Sequence, residues 1–370
     1  MVNNERMLKE FCELVSIDAL PFQEREIADR LKATLSELGF EVIEDQAGEF
    51  YQGNCGNIYA YLEGELEGEP LLFTAHMDTV EPGNNKKAVV LDDGSITSDG
   101  TTVLGADDLS GVVSILEAIR TIKEKSMPHR SIEVLFTIAE EVYILGSEVF
   151  DYTIIKSKEA YVLDLDGPVG TAALKAPTLV SFTAKITGKA SHAGFAPEQG
   201  VHAISIAAEA ITQIKQGRID DETTINIGLI EGGKARNIVP DLCIVRGEVR
   251  SLKHEKAITE SDKIKTIIDA VAAKYSAKHY YTTAFGCIAY EVDLQHSVVK
   301  RFEKVCSDLN YKTNLIATFG GSDNNNFLKH DITGIVLSCG MNKVHSISEY
   351  THIDELVKCC NIVLKLMTSA

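Results

Sequence analysis

The chain has 370 residues, enough for two domains with separate cores, and its 45% apolar and 24% charged residues are typical of a globular protein. Its formal net charge of −18 at pH 7 argues against nucleic acid as a partner, because binding to nucleic acid needs a basic surface. No apolar run is long enough to span a bilayer, so we expect no membrane association. The opening stretch lacks the pattern of a secretory signal and the eight cysteines are scattered, which predicts reduced thiols in a cytoplasmic protein.

The first half of the chain alternates between helical and strand patterns. Two amphipathic helices are predicted between Glu5 and Gly39, followed by short strands in "FEVIED", "NIYAYLEG" and "PLLFTAHM". The next predicted elements are a hairpin in "KAVVLDDGSITSDG", a helix in "DDLSGVVSILEAIRTIKEK", a strand in "SIEVLFTIAEE", a short helix near Ser147–Phe150 and a strand in "EAYVLDLDG". Strands that alternate with helices predict an α/β sheet, with its ligand site at the carboxyl ends of the strands.

The pattern changes near Pro177 and returns near Gln295. Between these points, strand patterns occur in "TLVSFTAKITG", "TTINIGLIEGG", "LCIVRGEVRS" and "HYYTTAFGCIAYEV", and two helices are predicted in "GVHAISIAAEAITQIKQG" and in "ESDKIKTIIDAVAAKYSA", which begins at Glu260. We interpret residues 178–290 as an α+β domain inserted into a discontinuous first domain made of residues 1–177 and 291–370. The last part of the chain adds a helix, two short strands and a C-terminal helix in "IDELVKCCNIVLKLM".

Five places combine a strand end or a tight turn with side chains that can bind a metal ion. They contain His76 and Asp78; Asp107 and Asp108; Glu140 and Glu141; Asp164 and Asp166; and His345, Glu349 and His352. Each place alone has a simpler explanation, since an aspartate can cap the helix that follows it and a histidine can pair with an acid for structural reasons. Glu140 and Glu141 follow an apolar strand, where paired carboxylates repel each other and are poorly solvated.

An α/β fold gathers all of these strand ends at one edge of its sheet. Two histidines and about four carboxylates at one edge suit a pair of zinc ions about 3.5–4 Å apart, with a water molecule between them. In such a site the pKa of the water falls toward 7, and a nearby carboxylate takes its proton. The residue inventory therefore predicts hydrolytic chemistry at this edge.

Seven motifs occur in a specific order along the chain: "HMDTV", "GADDLSG", "AEE", "VLD" before "GPVG", "SHAGFAPEQGVHA", "ARNIVP" and "HSISEY". In this order they resemble the co-catalytic zinc exopeptidases related to peptidase T, from about Phe11 to the last helix. The resemblance implies an α/β, zinc-exopeptidase-like catalytic domain, with a mixed, mainly parallel sheet flanked by helices, and an inserted α+β lid and dimerisation domain. It also implies two Zn²⁺ ions per subunit, with Co²⁺ or Mn²⁺ as alternatives, a short peptide substrate and a homodimer formed through the lid.

The resemblance implies five metal ligands, which are His76, Asp107, Glu141, Asp164 and His345. His76 and Asp164 would bind one zinc ion, His345 and Glu141 would bind the other, and Asp107 would bridge the two. Glu140 would be the general base that activates the water and then protonates the leaving amine. Asp78 would orient His76. Three positions keep a neighbouring alternative in the sequence: Asp166 for Asp164, Asp108 for Asp107 and His352 for His345.

In the inserted domain the resemblance implies three substrate contacts. His192 would polarise the scissile carbonyl, and Asn237 and Arg250 would contact the backbone or the carboxylate of the substrate. The chain departs from the family where Tyr143 and Ile144 follow the paired glutamates, because the family usually has a glycine there.

Three functions are compatible with these motifs. The first is an aminopeptidase that releases N-terminal residues from tripeptides or other short peptides. The second is an N-acyl amino acid amidohydrolase, a deacylase or a carboxypeptidase that uses the same metal site. The third is an inactive homologue with a scaffold role, which the complete set of ligands and the retained base argue against.

Overall fold

The computed structural model describes residues 2–369. The helices are α1 (Asn4–Val15), α2 (Arg25–Glu37), α3 (Ala47–Tyr51), α4 (Ala106–Lys125), α5 (Leu145–Glu148), α6 (Ala203–Gln213), α7 (His254–Lys274), α8 (Ser297–Asp308), α9 (Asn324–Phe327) and α10 (Ile353–Met367). The strands are β1 (Glu41–Glu44), β2 (Ile58–Leu62), β3 (Leu71–His76), β4 (Ala88–Val90), β5 (Ser95–Ser98), β6 (Ile132–Thr137), β7 (Glu159–Asp166), β8 (Thr171–Ala176), β9 (Thr178–Thr187), β10 (Gly217–Asp220), β11 (Thr223–Gly232), β12 (Leu242–Ser251), β13 (Lys278–Cys287), β14 (Tyr290–Glu291), β15 (Asn314–Ala317), β16 (Thr333–Met341) and β17 (Tyr350–His352).

The chain divides into two compact units. The first unit comprises the described residues up to Leu174, then Glu291–Ala317, and then the chain from Gly321 onward. The second unit comprises Lys175–Tyr290 together with Thr318–Gly320. The sequence interpretation placed the insertion at residues 178–290, and it did not foresee that the short segment near residue 319 groups with the second unit.

The first unit is built on a mixed sheet with the strand order β1-β2-β6-β3-β7-β16-β8-β14, in which β15 pairs with β8. The four central strands, β6, β3, β7 and β16, are parallel to one another. Strands β3 and β6 are buried along their whole length, because both faces of the sheet are covered. The carboxyl ends of parallel strands lie at the same edge of a sheet, so this sheet brings together the chain segments that follow β3, β6, β7 and β16.

Helix α4 is the central helix of the first unit. It packs against β3, β7 and β16 of the sheet and against α1 and α10. Nearly every residue from Ala106 to Ile122 is buried, so this helix lacks the exposed polar face of a surface helix. Asp107 and Asp108 depart from helical geometry, with φ/ψ of −83°/99° and −120°/29°, and regular helix follows them. The strand-end edge of the sheet therefore meets an irregular, buried helix start.

The second unit is a separate antiparallel structure. Its five strands have the order β10-β11-β12-β9-β13, and α6 and α7 pack on one face. The core contains mostly aliphatic side chains from β9, β12 and the two helices, among them Val180, Ile206, Val245 and Ile264. An antiparallel sheet with helices on one face is a common α+β arrangement.

The predicted fold class is confirmed: the first unit is α/β with a parallel centre, and the second is α+β. Some details differ from the sequence-based expectation. Helix α7 begins at His254, one and a half turns before its predicted start near Glu260, because its first turns are mostly polar and give no clear apolar period. The elements that were not predicted are α3, α9, β8, β10 and β17, which are short and carry little periodicity. The helix expected near Ser147–Phe150 spans Leu145–Glu148.

Among residues 2–369, none of the helices combines the length and the apolar character needed to cross a bilayer. The cytoplasmic location expected from the sequence stays a prediction.

Candidate active site

The carboxylate of Asp107 lies between two histidines at the strand-end edge of the first unit. His76 ends β3, and its Nε2 is 3.0 Å from Asp107 Oδ1. The other oxygen, Asp107 Oδ2, is 3.3 Å from Nε2 of His345. His345 comes from the loop after β16, whose ends are closed by reciprocal backbone hydrogen bonds between Asn342 and Tyr350. One carboxylate that faces two imidazoles through its two oxygens has the geometry of a bridging ligand.

Two further carboxylates complete the surroundings of these histidines. Glu141 Oε2 is 2.9 Å from His345 Nε2, and Asp164 Oδ1 is 3.9 Å from His76 Nε2. The candidate ligand atoms form two overlapping groups, in each of which all atoms lie within 4.8 Å of one another. The first group contains His76, Asp107 and Glu141, and the second contains His76, Glu140 and Asp164.

The charges of this cluster favour a bound cation. Burial and neighbouring carboxylates raise the pKa of Glu140 and of Asp164 well above the usual range, because several negative charges share a site that excludes water. Hydrogen bonds to Asp107 and Glu141 raise the pKa of His345 to about 10. The carboxylates that stabilise a protonated His345 would also stabilise a divalent cation bound by the neutral ring of His345.

The residues present fit a divalent metal. Within the part of the chain that the structure describes, Glu141 Oε1 is buried and has no hydrogen-bond partner. A buried carboxylate oxygen without a partner is costly unless a cation or a water molecule contacts it. Mixed imidazole and carboxylate donors are the set that zinc and related transition metals take in proteins.

Asp78 holds the backbone of the residues after β6. Its Oδ1 accepts the amide of Glu140 at 2.9 Å, and its Oδ2 accepts the amide of Glu141 at 3.1 Å. The sequence interpretation assigned Asp78 to the orientation of His76. The ring nitrogen Nδ1 of His76 lies 2.9 Å from the backbone carbonyl of Asp78 and 3.5 Å from its carboxylate. The contact with the histidine ring thus involves mainly the backbone of Asp78, and the carboxylate is engaged with the amides.

The three neighbouring alternatives have other surroundings. Asp166 is exposed, whereas Asp164 faces His76. Asp108 is buried, and its Oδ2 accepts the backbone amide of His76 at 3.1 Å. His352 caps α10 by accepting the amide of Asp354 at 3.1 Å. The placement therefore favours Asp164, Asp107 and His345 as the ligands, and these assignments remain proposals.

Glu349 is a functional candidate to which the sequence interpretation gave no role beyond the inventory of metal-competent side chains. It is buried, and its two oxygens accept three backbone amides, from Leu104 at 2.8 Å, Gly105 at 2.8 Å and Asp107 at 2.9 Å. Gly105, at the start of α4, has no side chain to cap the helix, and Glu349 takes that role from a distant segment. Little in the sequence signals this role: Glu349 follows His345 by four residues in "HSISEY", but the amides that it accepts lie more than 240 residues away along the chain.

The second unit holds the three predicted substrate contacts. His192 is exposed, and its Nδ1 accepts the amides of Gly194 and Phe195, each at 3.2 Å. The backbone carbonyl of Asn237 accepts the amide of Ala193 at 2.9 Å, so these two segments lie side by side.

Arg250 is paired inside the second unit. Its Nε donates to Glu248 at 2.7 Å, and its Nη1 donates to the carbonyl of Phe319 at 2.9 Å. A substrate bound by Arg250 would have to share the guanidinium with Glu248. The role of Arg250 in substrate binding stays a prediction.

Two family profiles match the chain. The profile described as "Peptidase dimerisation domain" matches residues 176–276, and the profile described as "Peptidase family M28" matches residues 57–223. The chain is 38% identical over 370 residues to an uncharacterised protein, YqjE, of Bacillus subtilis, with full coverage of both chains.

Two solved structures are similar over nearly the whole chain. One is a tripeptidase from Staphylococcus aureus, with 35% identity and a TM-score of 0.96, covering 100% of this chain and 98% of that one. The other is the aminopeptidase PepT from Bacillus cereus, with 38% identity and a TM-score of 0.91, covering 99% of this chain and 98% of that one.

The fold and the donor cluster, together with these likenesses, define a metal-dependent peptidase. The predicted enzyme class is thereby confirmed at this level. The chain belongs to the peptidase T-like family of metal-dependent exopeptidases.

Proposed function

We propose that this protein is an aminopeptidase that releases the N-terminal residue from tripeptides and other short peptides. The observation that carries the proposal is the carboxylate of Asp107 between His76 and His345, with the buried Glu140 beside the same cluster. The two similar structures, a tripeptidase and an aminopeptidase, support the choice of substrate class.

The proposed cofactor is a pair of zinc ions, with cobalt or manganese as alternatives. His76 and Asp164 would hold one ion, His345 and Glu141 the other, and Asp107 both. When bound, the two cations would polarise the scissile carbonyl and make a water molecule more acidic.

Glu140 carries the proton in the proposed reaction. Burial raises the pKa of Glu140 well above its usual range, which makes it a stronger base than an exposed carboxylate. It accepts a proton from the attacking water as the new C–O bond forms. It then delivers that proton to the departing amine nitrogen as the C–N bond breaks, so the carboxylate is regenerated. Asp78 fixes the backbone of Glu140 during both transfers.

In the second unit, His192 is the proposed donor to the scissile carbonyl oxygen. Because its Nδ1 accepts two amides, a neutral ring carries its proton on Nε2, where it can donate to a substrate. Asn237 and Arg250 are proposed to contact the substrate backbone or its carboxylate. The match to a dimerisation domain supports the further proposal that two chains associate through this unit.

The decisive experiment compares free and blocked substrates on the zinc-loaded protein. We expect release of the first residue from tripeptides with a free amine, and no cleavage of N-acetylated tripeptides or N-acyl amino acids. Preferential cleavage of the blocked compounds would replace the aminopeptidase with a deacylase, and release of the last residue would indicate a carboxypeptidase. A lack of turnover on every substrate, with metal bound, would support an inactive homologue.

The Glu140→Gln variant tests the assigned base. We expect it to keep its metal and to lose turnover by about 10²- to 10⁴-fold, since glutamine cannot accept the proton. Glu148→Gln is the matched control, because Glu148 is an exposed glutamate eight residues further along the same segment. Turnover in Glu140→Gln equal to that of the control would remove Glu140 from the mechanism.

A further inference from the structure

The turn that carries Glu140 and Glu141 has an unusual backbone. It connects β6 to α5, and φ is +50° at Ala139, +78° at Tyr143 and +61° at Ile144. Residues with a side chain rarely adopt positive φ, because that conformation is strained. Such conformations persist only where the surrounding structure holds them.

Buried side chains hold this turn by its amides. Four consecutive backbone amides donate to side-chain oxygens from three other segments of the first unit. The bonds are Ile138 to Asn57 Oδ1 at 3.0 Å, Ala139 to Glu24 Oε1 at 3.0 Å, Glu140 to Asp78 Oδ1 at 2.9 Å and Glu141 to Asp78 Oδ2 at 3.1 Å. The orientation of the turn therefore depends on residues far from it in sequence.

Asn57 contacts both ends of the turn. Its Oδ1 accepts the amide of Ile138, and its Nδ2 donates to the carbonyl of Gly146 at 2.8 Å. Asp45 positions Asn57: its carboxylate accepts hydrogen bonds from the backbone amide and from Nδ2 of Asn57, each at 2.7 Å. A Cβ on Gly146 would approach Ile138 O to 2.1 Å, so the closure of the turn also requires a glycine there.

Glu24 contacts the middle of the turn from a position where glutamate is uncommon, because its side chain has no access to water. It is fully buried, and its Oε1 accepts the amides of Ala139 and Phe22. From residues 2–369, its Oε2 receives no hydrogen bond. Glu24 stands at the cap position of α2, yet its side chain makes no capping bond to that helix. A buried carboxyl oxygen without a partner is costly, and what Glu24 provides in return at this position is an acceptor for the amides of Phe22 and Ala139.

We propose that Glu24 and Asn57 are positioning residues for the catalytic base. They fix the backbone of residues 138–141, and through it the carboxylate of Glu140, at the edge of the metal-binding cluster. This inference rests on the proposed function, in which Glu140 moves the proton. A displacement of a reacting group by about 1 Å can cost on the order of 10²-fold in rate.

The buried carboxylate of Glu133 supplies a matched control. Glu133 lies on β6, the strand that leads into the same turn, and is fully buried. It accepts the backbone amides of Lys156 at 2.9 Å and Ser157 at 2.7 Å. Its removal should destabilise the fold much as removal of Glu24 does, without releasing the amides of residues 138–141.

The first test is a kinetic comparison of Glu24→Ala, Glu24→Gln and Glu133→Ala, each loaded with zinc and saturated with a tripeptide. We expect kcat of Glu24→Ala to fall about 10- to 100-fold, with KM nearly unchanged and with the metal content of the wild type. Glu24→Gln should recover most of kcat, because its amide oxygen can accept the same two amides. A kcat of Glu24→Ala equal to that of Glu133→Ala would overturn the proposal.

The second test needs no activity. In the metal-free protein, hydrogen exchange of the amides of residues 138–141 should be about 10-fold faster or more in Glu24→Ala, and unchanged in Glu133→Ala. Equal exchange in both variants would also overturn the proposal. If Glu24→Ala does not fold, Asn57→Ala takes its place, because it releases the amide of Ile138 and the carbonyl of Gly146, and it should show the same loss of kcat and faster exchange.

The outcome for Glu140→Gln separates the two levels of the inference. Full turnover in Glu140→Gln would refute the base assignment, whatever the exchange data show. Loss of turnover in Glu140→Gln together with wild-type kcat and exchange in Glu24→Ala would leave the base in place and refute only the positioning role.

Discussion

The candidate residues of the first unit are mostly buried, with His345 as the exposed exception, and those of the second unit are more exposed. In the first unit His76 is 1% exposed and Glu140 is 8% exposed, among several other carboxylates. In the second unit His192 is exposed, and the ring of Phe195, which stacks on it, is 85% exposed. Burying like charges is unfavourable unless a cation compensates them, whereas an exposed histidine costs nothing. Burial and charge therefore indicate a bound metal at the candidate residues of the first unit. The roles proposed for the residues of the second unit depend instead on the resemblance of the sequence to the family.

The two sets also differ in how their backbone is held. Asp78 and Glu349 fix the amides of ligand-bearing segments that are far from them in sequence. The turn at His192 is held by the ring of His192 itself and by backbone hydrogen bonds, among them the one from Ala193 to the carbonyl of Asn237. Substitutions of the proposed metal ligands or of Glu349 should therefore affect metal binding and turnover together, and substitutions at His192 should affect turnover alone.

The largest expected effect belongs to Asp164→Ala. Turnover should fall by about 10³-fold or more, because loss of a ligand removes several kcal/mol of charge stabilisation. Metal content after gel filtration should fall with it. Asp166→Ala is the matched control, since Asp166 is the exposed aspartate on the same strand, and its effect on metal affinity should stay within about twofold. Metal loss in the control instead would reverse the choice of ligand.

His192→Ala should have the next largest effect. Removing one donor to the developing oxyanion costs about 10²- to 10³-fold in kcat. Metal affinity should equal that of the wild type, as measured by calorimetric titration with zinc. His279→Ala is the control in the same unit, because His279 is paired with Asp269 at 2.7 Å. If His192→Ala lost metal, the contrast between the two units would fail.

Glu349→Ala should weaken metal binding about 10- to 100-fold, the usual effect of removing a group that orients a ligand. Three buried amides near Asp107 lose their acceptor in this variant. Glu349→Gln should lie between Glu349→Ala and the wild type, because one oxygen remains. Glu355→Ala is the control, since Glu355 accepts the amide of Val169 at 2.7 Å. Equal zinc affinities in Glu349→Ala and Glu355→Ala would contradict the role of Glu349.

The order of the helices and strands could be predicted from the sequence wherever burial produces an apolar run or an apolar periodicity. Strand β3 is apolar apart from Thr74 and the terminal His76, β6 is apolar apart from Glu133 and Thr137, and α1 and α2 have a clear apolar face. The segment Thr318–Gly320 could not be assigned to the second unit, because it is far in sequence from the rest of that unit.

The proximity of the candidate site residues could be predicted because parallel strands end at one edge of the sheet, which places His76, Glu140 and Asp164 near each other. The residues that hold these site residues in place could not be predicted from the sequence. Glu24 and Asn57 meet the turn after β6 across 115 and 81 residues, and no local pattern encodes such contacts. The sequence thus reveals the reactive side chains of a site more readily than the distant residues that hold their backbone in place.

The smallest expected effect on activity is that of Glu44→Gln. It serves as a comparison for the neighbouring Asp45, whose carboxylate accepts hydrogen bonds from Asn57. Although burial opposes its charge, hydrogen bonds from Arg25 and Lys32 lower the pKa of Glu44 to about 2. A folded pKa below the unfolded value of 4.5 means that the ion pairs stabilise the fold above pH 4.5, and that this stabilisation is lost as the pH falls toward 2.

Glu44→Gln should therefore lower the free energy of unfolding by less than about 1 kcal/mol at pH 7, since the pair is partly exposed. The difference from the wild type should shrink between pH 4.5 and pH 2 in urea titrations, and kcat should not change. Asp45→Ala should instead lower kcat, because Asn57 loses the acceptor that orients it toward the turn of the base. A loss of kcat in Glu44→Gln as large as in Asp45→Ala would mean that this edge of the first unit supports the base as a whole, and that Asn57 has no special part in it.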